Sequence, residues 1–168
     1  DDKGEVLAKE LCDQRKKVVY KHVNLFDIDE IKSAYIWIKE QFGKLDYAMN
    51  NAGFGIPAKP LDECTSEEVI YCAAKHGVVG ITKAAALDYA TSNITINAIA
   101  PGTIETELVN SLKEIAPEAY KQAEESNPAG HLGKPEDIAN AALFLCEDTS
   151  SFINGVILPV DSGCVAGK

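Results

Sequence analysis

Three short apolar runs in this chain end alike, in residues that would not continue a strand. Positions 45–49 run into Asn50-Asn51-Ala52-Gly53, 94–99 into Pro101-Gly102, and 156–160 into Asp161-Ser162-Gly163. A fourth run, 17–24 (KVVYKHVN), is rich in β-branched and aromatic residues and also reads as a strand. Segments with helical spacing separate the runs. Alternating strand and helix is the grammar of a doubly wound parallel sheet with helices on both faces, because parallel neighbours need long crossovers. The sequence therefore predicts an α/β fold whose parallel sheet contains 17–24, 45–50, 94–99 and 156–160. Ligands in such sheets bind at the carboxyl ends of the strands. The Asn-Asn-Ala-Gly, Pro-Gly and Asp-Ser-Gly pieces all stand at such ends.

The helices carry local signals. Val6, Leu7, Leu11 and Cys12 give 4–14 one apolar face. Asp27, with Glu30 three residues on, opens a helix through about Phe42, and Gly43 is placed to end it in the left-handed conformation. After a loop over 56–64, Thr65 or Ser66 caps a helix with Glu67 and Glu68 in its first turn, running to about Thr91. Pro135-Glu136-Asp137 starts another, to about Glu147. Between Pro101, which is expected to end its strand, and Lys134 the chain is polar. Weak helical pieces at 107–115 and 119–125 make 103–134 a mobile flap over a site.

The 168 residues suit one domain with its own core. A net charge of −10 argues against nucleic acid or an anionic membrane surface as partner. No apolar run reaches membrane-spanning length, and the first residues, Asp1-Asp2-Lys3-Gly4-Glu5, do not read as a signal peptide. Five cysteines without a C-x-x-C pair read as reduced thiols of a cytoplasmic protein. His22, His76 and His131 lack ligand spacing, so no metal is expected. No G-x-x-x-x-G-K-S/T loop is present, which discounts a phosphate binder of that kind.

Tyr71 and Lys75 stand one helical turn apart on one face. A phenol is a poor acid at neutral pH, and a neighbouring ammonium favours its ionised form, so such a pair can hand a proton to a substrate oxygen. Ala73, Ala74 and Gly77 leave a low surface beside the pair for a flat ring. Tyr35 and Lys39 have the same spacing. Bulky Ile36, Trp37 and Ile38 lie between them, as in a helix buried against a sheet, whereas the second pair falls between two Gly-containing strand ends. Tyr71 and Lys75 are the expected functional pair.

Taken in order, these pieces resemble the short-chain dehydrogenase/reductase family over nearly the whole chain. The resemblance rests on His22-Val23-Asn24-Leu25, Asn50-Asn51-Ala52-Gly53, Tyr71-x-x-x-Lys75, Pro101-Gly102-x-x-x-Thr106, Gly133-Lys134-Pro135-Glu136-Asp137 and Val160-Asp161-Ser162-Gly163. It implies a single Rossmann-like domain over 1–168, with a substrate flap at about 103–134. It further implies an NAD(P)-dependent interconversion of a small-molecule alcohol and carbonyl. Tyr71 would be the general acid/base, and Lys75 would activate it and bind the nicotinamide ribose. Asn24 and Leu25 would border the adenine. Asn51, Ala52 and Gly53 would lie along the adenosine, with Pro101, Gly102, Ile104 and Thr106 near the nicotinamide. A homo-oligomer, dimer or tetramer, is implied, with 71–91 and the apolar 156–160 as contact surfaces. The family usually carries Asp at Asn24, Arg at His131 and Gly at Ser162.

Other family parts have no counterpart in these residues. They are the first strand with its Gly-rich pyrophosphate turn, and the segment with the catalytic serine ahead of the tyrosine. No other serine matches that position. Because the motifs flanking Ile70 and Tyr71 are intact, a skipped segment is expected there, with 67–70 outside the helix that carries Tyr71. The alternative is a shortened, non-catalytic α/β scaffold or dimerisation module.

Overall fold

The computed structural model describes residues 2–14, 17–53 and 61–167. They form two compact units, Asp1–Ala52 and Gly53–Lys168.

In the first unit, α1 spans Asp2–Asp13 and α2 spans Ile28–Phe42. Gly4 lets α1 lie against the Tyr20 ring, which a Cβ there would overlap. The Cys12 thiol donates to the Val18 carbonyl at 3.2 Å and accepts from the Val18 amide at 3.4 Å. Asp27 caps α2 as expected, its Oδ1 accepting from the Asp29 and Glu30 amides at 2.9 and 3.2 Å. Gly43 ends α2 with φ of 79°, its amide donating to the Lys39 carbonyl. The Trp37 and Phe42 rings meet edge to face at 5.8 Å.

Two expectations fail in this unit. Segments 17–24 and 45–50 form no strands: among the described residues neither pairs in a ladder. Their composition suits a pleated surface, but a strand exists only where a neighbour takes its N–H and C=O groups. Nor is α2 a buried helix, since none of its residues is fully buried and Ile36 is 59% exposed.

The second unit holds the sheet. Helix α3 spans Ser66–Asp88, followed by strand β1 (Ala98–Pro101), helices α4 (Glu107–Ile115), α5 (Pro117–Glu125) and α6 (Pro135–Cys146), and strand β2 (Ile157–Val160). β1 and β2 are parallel, pairing Ala98 with Ile157 through Pro101 with Val160. This is an α/β fold in which the sheet of the described residues has two strands rather than the four expected. α6 lies against both strands, and α4 packs on α5. Small or polar residues predominate at the best-buried positions: Ala86, Thr82, Tyr120, Asn127, Leu132 and Ser150 among them.

The first strand of the pair starts four residues later than expected and includes Pro101. Asparagine side chains occupy the earlier backbone groups: Asn154 Oδ1 accepts from the Ile96 amide at 2.8 Å, and Asn97 Oδ1 accepts from the Val156 amide at 3.0 Å. Proline fits because the amides of Ala98 and Gly102 donate to the carbonyls of Val156 and Val160, at 2.9 and 3.0 Å. In that alternation the Pro101 nitrogen faces away from β2, so no ladder bond is lost.

Helix α3 follows the helical reading from Ser66 onward and contradicts the expected skip at Ile70 and Tyr71. It runs unbroken through Ile70 and Tyr71, so 67–70 do share a helix with Tyr71 and Lys75. Thr65 begins it with a full capping box to Glu68, bonds of 2.7 and 3.3 Å. It stops at Asp88, short of Thr91, and passes into a 3-10 turn closed by Asn93 at φ of 57°.

Candidate functional site

Tyr71 is half-buried in the second turn of α3, and Lys75 stands exposed one turn later. The Lys75 Nζ lies 5.4 Å from the centre of the Tyr71 ring. Helical periodicity alone brings the two together. Cys72, Ala73, Ala74 and Gly77 are exposed beside them, and a Cβ at Gly77 would meet nothing within 4 Å. The His76 ring donates through Nδ1 to the Cys72 carbonyl at 2.9 Å. On another side Gly53 comes close: a Cβ there would stand 3.4 Å from the Lys75 Nζ. The capped first turn anchors the helix start. Glu67 has its carboxyl held below the usual carboxylate range by hydrogen bonding to its own backbone amide and to Thr65.

A second group forms where β1 and β2 end. Gly102 permits close contact there, since a Cβ on it would lie 2.8 Å from the Asp161 Cα. Past Gly102 the chain adds a bridge between Ile104 and Gly133: the Glu105 amide donates to the Gly133 carbonyl at 2.8 Å, and the Gly133 amide to the Thr103 carbonyl at 3.0 Å. A cavity of about 370 Å³ opens beside this bridge, lined in part by Gly102, Ile104, Asn127, His131 and Asp161. Thr106 turns the chain into α4, its hydroxyl accepting from the Val109 amide at 3.3 Å. Ser162, standing where the resembled family has glycine, holds a left-handed φ of 58°.

The expected site residues therefore fall in three places. Asn24, Leu25, Asn51 and Ala52 belong to the first unit, together with the competing pair Tyr35 and Lys39 near the end of α2. Gly53, Tyr71 and Lys75 cluster at the start of α3, and Pro101, Gly102, Ile104 and Thr106 form the turn after β1. Sequence reasoning missed three residues around that turn. The Tyr120 hydroxyl donates to Glu105 Oε1 at 3.2 Å, and the Lys113 Nζ lies 4.0 Å from the same oxygen and 4.7 Å from the centre of the Tyr120 ring. No motif signals a contact between residues so far apart in sequence. Among the described residues there is no cluster able to hold a metal ion and no helix long and apolar enough to cross a membrane.

Parallel strands joined through helices, with a Tyr–Lys pair on one helix and a Pro-Gly turn at a strand end, define an α/β protein of the doubly wound class. The family model described as enoyl-(acyl carrier protein) reductase matches residues 64–165. The chain belongs to the short-chain dehydrogenase/reductase family. It is 44% identical to levodione reductase from Leifsonia aquatica over 98 residues, covering 55% of this chain and 37% of the relative. The chain thus matches well under half the length of that relative. Cis-4-hydroxycyclohexanecarboxylate dehydrogenase from Sinomonas cyclohexanicum is 28% identical over 206 positions, covering 95% of this chain and 82% of the relative. Those 206 positions exceed the 168 residues of this chain, so the relative carries residues with no counterpart here. A solved levodione reductase structure superposes with a TM-score of 0.78 at 28% identity, over 90% of this chain and 79% of its own. An Agrobacterium tumefaciens protein described as a 2-deoxy-D-gluconate 3-dehydrogenase, solved with bound NADP, is 46% identical with a TM-score of 0.54. It covers 57% of this chain and 39% of its own.

Proposed function

We propose that this chain acts as an NAD(P)-dependent oxidoreductase that interconverts an alcohol and a carbonyl, with Tyr71 as general acid/base and Lys75 as its activator. The observation that carries the reading is the placement of Lys75, over the Tyr71 ring and against Gly53. The NADP bound to the Agrobacterium tumefaciens relative supports the cofactor class.

The residues present fit the nicotinamide half of such a cofactor. Gly53 brings the backbone beside Lys75, and the open surface over Ala73, Ala74 and Gly77 can take a flat ring. Bound NAD(P)H would supply the hydride. In the direction of reduction, the Tyr71 hydroxyl gives its proton to the carbonyl oxygen as the carbon is reduced, and solvent restores that proton. Lys75 favours the phenolate that this leaves behind. Pro101, Gly102, Ile104 and Thr106 border the nicotinamide end. The flap over 103–134, which includes α4 and α5, selects the substrate. Five free cysteines support a reducing, cytoplasmic setting.

The test is NAD(P)H consumption with a panel of ketones and 3-oxoacyl thioesters, wild type against Tyr71→Phe. Turnover should fall by roughly 10²–10⁴ in the variant while NAD(P)H binding persists. Equal turnover in both proteins overturns the role of Tyr71.

A second reading, a non-catalytic scaffold or dimerisation module, is favoured by the apolar surface of α3, where Ile81 is 69% and Leu87 81% exposed. Both readings predict a homo-oligomer by light scattering, and the scaffold reading alone predicts no saturable NAD(P)H binding.

A further inference from the structure

Glu105 sits between Ile104 and Thr106, and three separate elements hold it. Its amide is bonded to the Gly133 carbonyl at 2.8 Å. Its carboxylate accepts from the Tyr120 hydroxyl of α5 at 3.2 Å and faces Lys113 of α4 at 4.0 Å. Lys113 also covers the Tyr120 ring, at 4.7 Å from its centre. Tyr120 is 8% exposed, the best-buried residue of either helix. A hydrogen bond to a charged acceptor, with the donor in a buried ring, is stronger than the average protein hydrogen bond. The two flap helices are thereby fastened to a single carboxylate in the turn that follows β1. The turn itself is stiffened from the other side by the bridge from Ile104 to Gly133. A residue gripped from α4, α5 and 133 has little freedom, and neither do its neighbours.

We propose that Glu105, clamped by Tyr120 and Lys113, is a positioning residue that holds Ile104 and Thr106 in register with the nicotinamide end of the site. This rests on the oxidoreductase reading above. The clamp makes the flap and the cofactor-facing turn move as one body. Loosening it acts on the orientation of the reacting groups rather than on the binding of either ligand, so kcat falls while KM changes little.

Tyr120→Phe tests the proposal, because it keeps the ring and removes only the hydroxyl. Two measurements are made on the full chain. Amide hydrogen exchange of Glu105 and Thr106, followed without cofactor, should speed up about tenfold, with the amides of α6 and β2 unchanged. Steady-state kinetics should show kcat about tenfold lower at near-constant KM. Glu105→Gln, which keeps an acceptor for Tyr120 but loses the charge facing Lys113, should fall between wild type and Glu105→Ala in both. Unchanged exchange at Glu105 and Thr106, or acceleration spread evenly over the chain, overturns the clamp. Local acceleration with unchanged kcat overturns the positioning role. Failure of the underlying reading is seen separately, as a wild-type chain that binds no NAD(P)H by fluorescence.

Discussion

Asn154 Nδ2 donates to the carbonyl oxygen of Ala86 at 2.9 Å, joining residues 68 positions apart. Ala86 belongs to the last turn of α3, where helix carbonyls have no partner within the helix. The other end of the same amide, Asn154 Oδ1, accepts from the Ile96 amide at 2.8 Å. One side chain thus ties the helix that carries Tyr71 and Lys75 to the approach to β1 and to the turn before β2. The site helix is held from its far end.

Replacing that side chain should destabilise the protein. Asn154→Ala removes both bonds and leaves the backbone groups of Ala86 and Ile96 without them, at a cost of about 1–3 kcal/mol. Thermal denaturation should show a midpoint lower by several degrees. An unchanged midpoint would show that the tie contributes nothing.

The two glycines near the strand ends should differ in their tolerance of alanine. At Gly102 the new Cβ meets backbone, the Asp161 Cα at 2.8 Å, so the strand ends have to separate. At Gly133 it meets the tip of a flexible side chain, the Ile104 Cδ1 at 2.6 Å, which can rotate away. Gly102→Ala should lower the denaturation midpoint more than Gly133→Ala does. The reverse order would refute the packing argument.

The competing tyrosines separate by activity. Tyr35 lies in α2, in the other compact unit, and its hydroxyl has no part in the proposed chemistry. Tyr35→Phe should leave turnover unchanged, whereas Tyr71→Phe should lower it by roughly 10²–10⁴, the usual contribution of a positioned acid/base. NAD(P)H consumption measures both. A large loss on changing Tyr35 would transfer the acid/base role to the wrong helix for this proposal.

Lys113 should make the clamp sensitive to alkali. Its pKa is raised above the usual lysine value, chiefly by the polar Tyr120 side chain beside it and further by the charges of Glu105 and Glu124. A raised folded value means that the charged form is stabilised by folding. That contribution is fully present below the unfolded lysine pKa of about 10.4 and is lost as pH rises through the folded one. The stability difference between wild type and Lys113→Met, followed by urea unfolding, should be constant from neutral pH to about 9 and shrink above about 10.4. A difference that already vanishes at neutral pH would exclude a role for the charge.

Much of the helical content was legible because its causes are local. Asp27 with Glu30, Gly43 after Phe42, Thr65 with Glu68, and Pro135 at the start of α6 act within one turn of the backbone they cap. Tyr71 and Lys75 meet for the same reason, since four residues make about one turn. The strands were another matter. Segment 17–24 has ideal strand composition and forms none, while Pro101, the least suited residue, occupies the last place of β1. Pairing is a relation between distant segments, and only the register of β1 on β2 determines which nitrogens face a partner. The clamp of Tyr120 and Lys113 on Glu105 was equally invisible. Its members are ordinary surface-type residues, brought together by the packing of α4 on α5 and by the path of the turn after β1. Caps and i, i+4 pairs are written in the order of residues because the helix converts spacing into contact, whereas ladder partners and the Glu105 clamp arise only once separate elements have packed.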